Sequence, residues 1–356
     1  MKRTIPTLAA VLALALPAAA QQPRFENARL ETRAVGASLE RDFSALVGGA
    51  AGPVWIGYAA RIIPGEHQMC CYSSSNCCAG CRLEGDRSSG TNITRQEAGT
   101  VRLEGPRSLW VLFRAEGKRV EKIRTFTEDC TIDAGGLAVY WLTGASPAAS
   151  VALLGSFASR SAEGKDERRL ADSAVAAIAF HDDPAADRAL EGFVAAGQPE
   201  SLRERTAFWL GNARGRRGYE VLRRLAREDS SPRVREKVVF ALTQSKEPEA
   251  VNAMIDVARN DGVAHVRGQA LFWLAQKAGQ KATQAIQQAI DQDPETEVKT
   301  RAVFALSQLP RDEGVPMLIQ VARTNRNPEV RKKAMFWLGQ SKDPRALEFF
   351  EQILTK

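Results

Sequence analysis

The chain has 356 residues, 44% of them hydrophobic and 26% charged, with a net charge of +7. That length exceeds one small domain and suffices for two, and the balance excludes a disordered or fibrous chain. Removing Lys2 and Arg3 with an N-terminal leader leaves +5. So mild an excess needs no nucleic-acid partner.

Met1–Ala20 reads as a signal peptide. Lys2 and Arg3 give the positive start, Ala9–Leu16 the apolar run, and Pro17-Ala18-Ala19-Ala20 a small-residue cleavage site before Gln21. The run is too short for a stable bilayer span, and no later stretch is long and apolar enough for one. No cysteine follows the cleavage site, so lipid anchoring is not indicated. The expectation is an exported protein, periplasmic or extracellular, with no membrane span after cleavage.

Residues 21–136 form a different region, which holds all six cysteines and lacks any long period. Ser38 is placed to cap a short helix with Leu39, Phe43 and Leu46 on one face. Strand formers fill Pro53–Ile63. Leu109–Arg114, a turn at Glu116–Arg119 and Val120–Phe126 read as a hairpin, and Thr100–Leu103 is a further candidate strand. A small α+β or mostly β module is expected, its sheet topology open.

The cysteines run Cys70-Cys71, Cys77-Cys78 and Cys81, with Cys130 distant. An even count in a small region of an exported chain favours disulfides. Six cysteines allow 15 pairings, and the sequence does not choose among them. Adjacent cysteines rarely join each other, because a disulfide needs its Cα atoms about 5.5 Å apart. Cys70 or Cys71 is therefore expected to reach Cys130 or the Cys77–Cys81 group. The alternative is a tetrahedral zinc site drawn from His67, Cys70, Cys71, Cys77, Cys78 and Cys81. The paired spacing of zinc ribbons is absent, however, and an oxidising compartment competes for the thiols. Thiol redox chemistry at Cys78-Ala79-Gly80-Cys81 is weaker still, because no helix follows to lower a thiol pKa. No phosphate loop, nucleophile elbow or metalloprotease motif occurs, so no catalytic residues are assigned.

Residues 137–169 read as a connection. Ser146 caps a helix that Pro147 starts and Gly155 is expected to stop. Ser159–Arg169, charged and carrying Gly164, reads as the flexible link.

From Leu170 onward the chain lines up in steps of 32. Leu202, Val234, Val266, Val298 and Val330 fill one column. Phe208, Phe240, Phe272, Phe304 and Phe336 fill a second, and Leu210, Leu242, Leu274, Leu306 and Leu338 a third. Self-similarity at such a period marks a stacked repeat protein. Within one unit, Val234, Val238, Ala241 and Leu242 share a helical face. A turn ending at Pro248 follows, and Val251, Met254, Ile255 and Ala258 share a second face. Asp183-Pro184 and Asp343-Pro344 repeat the same start signal, an acidic cap before proline. Another column alternates, as Trp209, Ala241, Trp273, Ala305 and Trp337. A large ring beside a small residue in the next layer would keep packing density constant. Leu170–Glu200 is a divergent unit with Ala176, Ala177 and Ile178 in the Phe-Trp-Leu columns, small residues suited to an end layer. Of Phe349, Phe350, Ile353 and Leu354, not all can face inward, and Phe349 is expected at the helix border.

The pattern resembles the HEAT repeat family, and more narrowly the short bacterial HEAT-like repeats of phycobilisome lyases. The resemblance is carried by Pro328–Gly339, Ser341–Leu347 and their shifted copies. It covers a little over half of the chain and implies an α-solenoid over 170–356. Hydroxylases built on such repeats carry paired His-Glu iron ligands. Here His67, His181 and His265 are each followed by another residue, so that chemistry is not implied.

The reading that follows is a non-enzymatic exported scaffold that holds a protein or peptide partner, without a cofactor. The second helices of the repeats are expected to line a concave surface, with Arg223, Arg224, Arg227, Asp256 and Arg259 as contact candidates. The alternative is a metal-binding or thiol-redox protein that uses the array as a docking arm.

Overall fold

The computed structural model describes residues 22–65, 81–84, 105–128, 131–160, 164–278 and 280–355, and in 278 and 280 the backbone alone. The proposed leader, the candidate strand Thr100–Leu103 and Cys70, Cys71, Cys77, Cys78 and Cys130 lie outside the described residues. No helix among the described residues is long and apolar enough to cross a membrane.

The N-terminal region is α+β. Its strands are β1 (Arg24–Glu26), β2 (Arg29–Ala34), β3 (Val54–Arg61), β4 (Ser108–Glu116), β5 (Arg119–Thr127), β6 (Thr131–Asp133) and β7 (Ala138–Thr143). A mixed five-stranded sheet has the order β2-β7-β3-β4-β5, while β1 pairs with β6 alone. β4 and β5 form the expected hairpin, and Gly117 and Lys118 both take positive φ, as a tight two-residue turn requires. Helix α1 (Leu39–Gly49) starts at Ser38, whose side chain accepts from the Arg41 amide. β7 lies between β2 and β3, parallel to both. Gly57 in β3 makes room for it, because a Cβ there would stand 3.0 Å from the Trp141 ring.

Both faces of the sheet are covered. On one, Trp55, Trp110, Leu112 and Trp141 pack with Cys81, Leu83 and Ile132. The segment 81–84 is clamped there. The Leu83 amide donates to the Asp133 carbonyl, the Asp133 amide to the Cys81 carbonyl, and Trp55 Nε1 and Arg114 to the Glu84 carboxylate. On the other face, Ile56, Tyr58, Val111 and Phe113 meet Phe43 of α1 and helix α2 (Pro147–Ala158). Gly155 does not stop α2. The helix runs three residues further, because Phe157 and Ala158 are buried in this core.

Helix pairs follow: α3 (Lys165–Ala179) and α4 (Pro184–Phe193), α5 (Glu200–Ala213) and α6 (Gly215–Glu228), α7 (Pro232–Gln244) and α8 (Ala250–Asn260). The remainder are α9 (Ala264–Ala278) and α10 (Gln280–Gln292), α11 (Thr296–Ser307) and α12 (Arg311–Thr324), α13 (Pro328–Gln340) and α14 (Pro344–Leu354). Asp183 and Asp343 cap α4 and α14 as expected, each accepting from the amide two residues on. Two expectations change here. Arg169 belongs to α3, which starts at Lys165, so the connection is shorter than 159–169. The small residues Ala176 and Ala177 do not mark an end layer, because α2 and β5 pack onto α3 and bury them. One continuous hydrophobic core runs from Leu39 and Phe43 through the array to Phe349. Phe349 is thus a core residue, and the exposed apolar positions of α14 are Leu347, Ile353 and Leu354.

Candidate binding surface

The odd-numbered helices α5 to α13 form one row and the even-numbered helices α6 to α14 the other. The odd row is the more closely packed. Small residues permit this: a Cβ on Gly211 of α5 would come within 2.2 Å of the Ala241 carbonyl of α7. A stack bends toward its closer row, so the odd helices line the inner side. The expectation that the second helices line the concave surface is thereby reversed. Arg223, Arg224 and Arg227 lie on α6 and Asp256 and Arg259 on α8, in the outer row. All but the half-buried Asp256 are exposed, and Arg227 approaches Asp256 at 3.8 Å.

The inner row carries an aromatic ribbon. Phe180, Trp209, Phe208, Phe240, Trp273, Phe272, Phe304, Trp337 and Phe336 follow one another with ring centroids 4.7–6.1 Å apart. The Trp/Ala alternation sets its rhythm. Where Ala241 and Ala305 stand, the phenylalanines of adjacent repeats stack directly, Phe208 on Phe240 and Phe272 on Phe304. Where Trp273 and Trp337 stand, the indole fills the gap. The ribbon is only partly covered: the phenylalanines from Phe208 to Phe304 are half-buried, and Phe336 is 51% exposed.

Two polar columns border it. Four residues after each phenylalanine comes an amide: Asn212, Gln244, Gln276, Gln308 and Gln340. That spacing puts ring and amide on one helical face. Gln276 Nε2 donates across the repeat boundary to Gln308 Oε1 at 3.4 Å. Three residues before the phenylalanines stand Arg205, Lys237, Gln269, Arg301 and Lys333. Lys333 Nζ sits 5.4 Å from the Phe336 ring and 5.6 Å from that of Trp337. At the far end, Ser307, Gln308, Arg311, Trp337, Gln340 and Lys342 help to line a cleft of about 250 Å³. Trp337 Nε1 is buried there without an acceptor among the described residues.

The inner surface is held rigid by ion pairs at the repeat junctions. Arg203, Arg235 and Arg267 each form a two-pronged pair with Asp229, Asp261 and Asp293, at 2.6–3.1 Å. The same arginines donate to the carbonyls of Gln198, Asp229 and Asp261 in the preceding link. The arginines therefore sew one repeat to the next. Asp261 and Asp293 hold the guanidinium groups of Arg235 and Arg267 above their ordinary pKa. Lys277 Nζ adds a further stitch by donating to the carbonyls of Thr243 and Ser245.

Neither the arginine column Arg203, Arg235 and Arg267 nor the amide column was named from the sequence. Both were available at the 32-residue step.

Where sheet and array meet, Tyr58 Oη lies 2.9 Å from Ser150 Oγ, which lies 2.7 Å from His181 Nε2, and all three residues are buried. His181 Nδ1 lies 2.7 Å from the Ala177 carbonyl and must donate to it, leaving Nε2 to accept from Ser150. Burial pushes the His181 pKa down to about 4 and the Tyr58 hydroxyl pKa up, so both stay neutral. Sealed in the core, this chain of hydroxyls and imidazole joins β3, α2 and the end of α3.

Of the cysteine cluster, only Cys81 is described, buried against Leu83 and Ile132. Among the described residues, no group of three or more His, Cys, Asp or Glu side chains is placed to hold a metal. His67 and the other cysteines of the zinc alternative are outside the described residues.

Residues 190–275 and 283–356 match the family model for HEAT repeats. No curated protein sequence matches the chain. Solved structures similar to part of this chain include three proteins. Human deoxyhypusine hydroxylase in complex with glycerol is 16% identical over 58% of this chain and 90% of its own, with a TM-score of 0.31. The Escherichia coli protein YibA is 19% identical over 58% and 79%, at 0.38. The complex of CpcE and CpcF of phycocyanin lyase from Nostoc sp. PCC7120 is 21% identical over 54% and 76%, at 0.30. The matched segments run from the end of α4 to α14, and the array is HEAT-like.

Proposed function

We propose that this chain, built on HEAT-like repeats, is an exported, non-enzymatic scaffold that holds a protein or peptide partner along the inner side of the array. The observation that carries the reading is the half-exposed aromatic ribbon bordered by amides and lysines. Rings with polar neighbours are what protein interfaces favour, while a ribbon serving only the core would be sealed. The partner-facing residues are then Phe240, Phe272, Phe304 and Phe336 with their amides, in place of the outer-row Arg223, Arg224, Arg227, Asp256 and Arg259.

Export rests on Lys2-Arg3, the apolar run Ala9–Leu16 and the small residues 17–20. The disulfide reading fits export and the even cysteine count. It is supported by Cys81, which is buried and whose backbone pairs with Asp133, three residues past Cys130.

A random twelve-residue peptide library displayed on phage tests the scaffold reading. Panned on the full chain, it is expected to yield binders that lose at least tenfold in affinity to the Phe336→Ser and Lys237→Glu variants. An empty selection, or binders indifferent to both changes, would overturn it.

A further inference from the structure

We infer that the cleft between the pair α11–α12 and the pair α13–α14 is a binding site for a small organic carboxylate on a short aliphatic body. The inference goes beyond the scaffold reading and does not depend on it.

The first ground is a break in the pattern of repeat junctions. Arg214, at the end of α5, ties its repeat to the preceding one by donating to the carbonyls of Ala179 and His181. Two 32-residue steps on, the equivalent carbonyls are those of Thr243 and Ser245, and Lys277 of α9 donates to both. Two steps further they are the carbonyls of Ser307 and Leu309, which have no side-chain donor among the described residues. There the Lys277 position holds Ser341. Lys342 holds the Arg214 position, but it is exposed and has no hydrogen-bond or ion-pair partner among the described residues. Ser307, Leu309, Ser341 and Lys342 all line the cleft of about 250 Å³. The gap that a cation fills at two junctions is therefore open at the third.

The second ground is a reversal of charge at the same place. Asp183 stands before α4 and Glu247 before α8, at the two filled junctions, and an acid suits a gap that holds a cation. Two steps after Glu247 comes Arg311. Arg311 and Lys342 both line the cleft, and none of the described residues lining it is acidic. Of the acids nearby, Asp343 accepts both prongs of Arg345, Glu313 faces Thr283, and Asp312 stands outside the lining.

The third ground is an unanswered donor. Trp337 Nε1 is buried beside the cleft with no acceptor among the described residues, and such a donor calls for one. A carboxylate set between Arg311, Lys342 and this indole gains charge-assisted hydrogen bonds. Its aliphatic body then covers Val315 and Leu318 in the wall. An amine in the place of the Lys277 head group would reach the two free carbonyls, but it would face both cations with no acid to offset them.

The test uses the full chain, labelled with nitrogen-15, and three probes that share one body: 4-methylpentanoate, 4-methylpentanamide and 4-methylpentylamine. The chain has six tryptophans, and Trp337→Phe identifies the Trp337 indole signal by its loss. At neutral pH the carboxylate is expected to move that signal downfield and to saturate. It should bind about tenfold tighter, or more, than the amide and the amine. Arg311→Glu restores the acid of the Glu247 position, and Ser341→Lys restores the Lys277 stitch. Each should weaken carboxylate binding by a similar factor, with folding checked by circular dichroism. Equal or tighter binding of the amide or the amine overturns the inference, as does the lack of a saturable shift with the carboxylate. Carboxylate binding that leaves the Trp337 signal in place, or that ignores either variant, overturns it too, because the site then lies elsewhere. The scaffold reading is tested through Phe336 and Lys237, neither of which lines the cleft, so each reading can fail alone.

Discussion

His181 ties the sheet module to the array through a bond chain that works only while its ring is neutral. Its Nε2 must accept from Ser150, and a protonated ring has no lone pair to offer. Burial sets the folded pKa at about 4, against an ordinary value of 6.5. As pH falls below 6.5 the unfolded chain takes up a proton that the folded chain refuses. Stability therefore declines from pH 6.5 down to about 4, and the loss is complete below that. A shift of that size corresponds to about 3 kcal/mol. Urea unfolding of the native chain and of His181→Asn at intervals from pH 7 to pH 4 measures it. The variant is expected to start less stable and to lose about 3 kcal/mol less across the window. Parallel pH profiles would show that the imidazole does not couple the two parts.

Between elements, the strongest joints are the Arg–Asp pairs. The Arg235 and Asp261 side chains are 12% and 3% exposed, and the pair joins α7 to the link after α8, where Arg267 also holds the Asp261 carbonyl. Removing one partner of a buried pair leaves the other charge uncompensated, a loss of about 3–5 kcal/mol. Asp261→Ala is expected to show that loss in urea unfolding, while Asp256→Ala, on the outer row, stays within about 0.5 kcal/mol. Equal effects would mean that the pair adds nothing beyond surface charge.

These joints show what the sequence made legible. The columns of Phe, Leu and Val gave the helix pairs because a fixed step exposes the core directly. The Ser38 cap and the Gly117-Lys118 turn were readable because their chemistry is local. The inner and outer rows were not readable from periodicity. They depend on how closely neighbouring helices approach, which Gly211 against Ala241 decides in three dimensions. The parallel pairing of β7 with β2 and β3 was likewise hidden, because it joins segments some 80 to 110 residues apart. Gly155 misled for a related reason: its signal is a helix stop, but burial of Phe157 and Ala158 carried α2 past it.

For the whole molecule, one core extends from α1 to α14, yet its layers are not equally supported. Near the sheet, α3 packs against α2, α4, α5 and β5 and buries Leu170 and every residue from Ala174 to Ala179. In the last described layer, α14 rests on α12 and α13 and buries only Ala346 and Phe349, while Leu354 is 83% exposed. A layer that buries fewer apolar side chains opens at lower cost, so opening free energies should fall toward α14. Native-state amide hydrogen exchange is expected to show α14 opening first, then α13, with α3, β3 and β4 protected to the limit of global unfolding. The order bears on binding. Phe336 and Trp337, on α13, lie in the region that opens early, so a ligand spanning the ribbon should raise protection in α13 most. Uniform protection from α3 to α14 would mean that the continuous core unfolds as one unit, and would remove any reason for a ligand to act more on one end than the other.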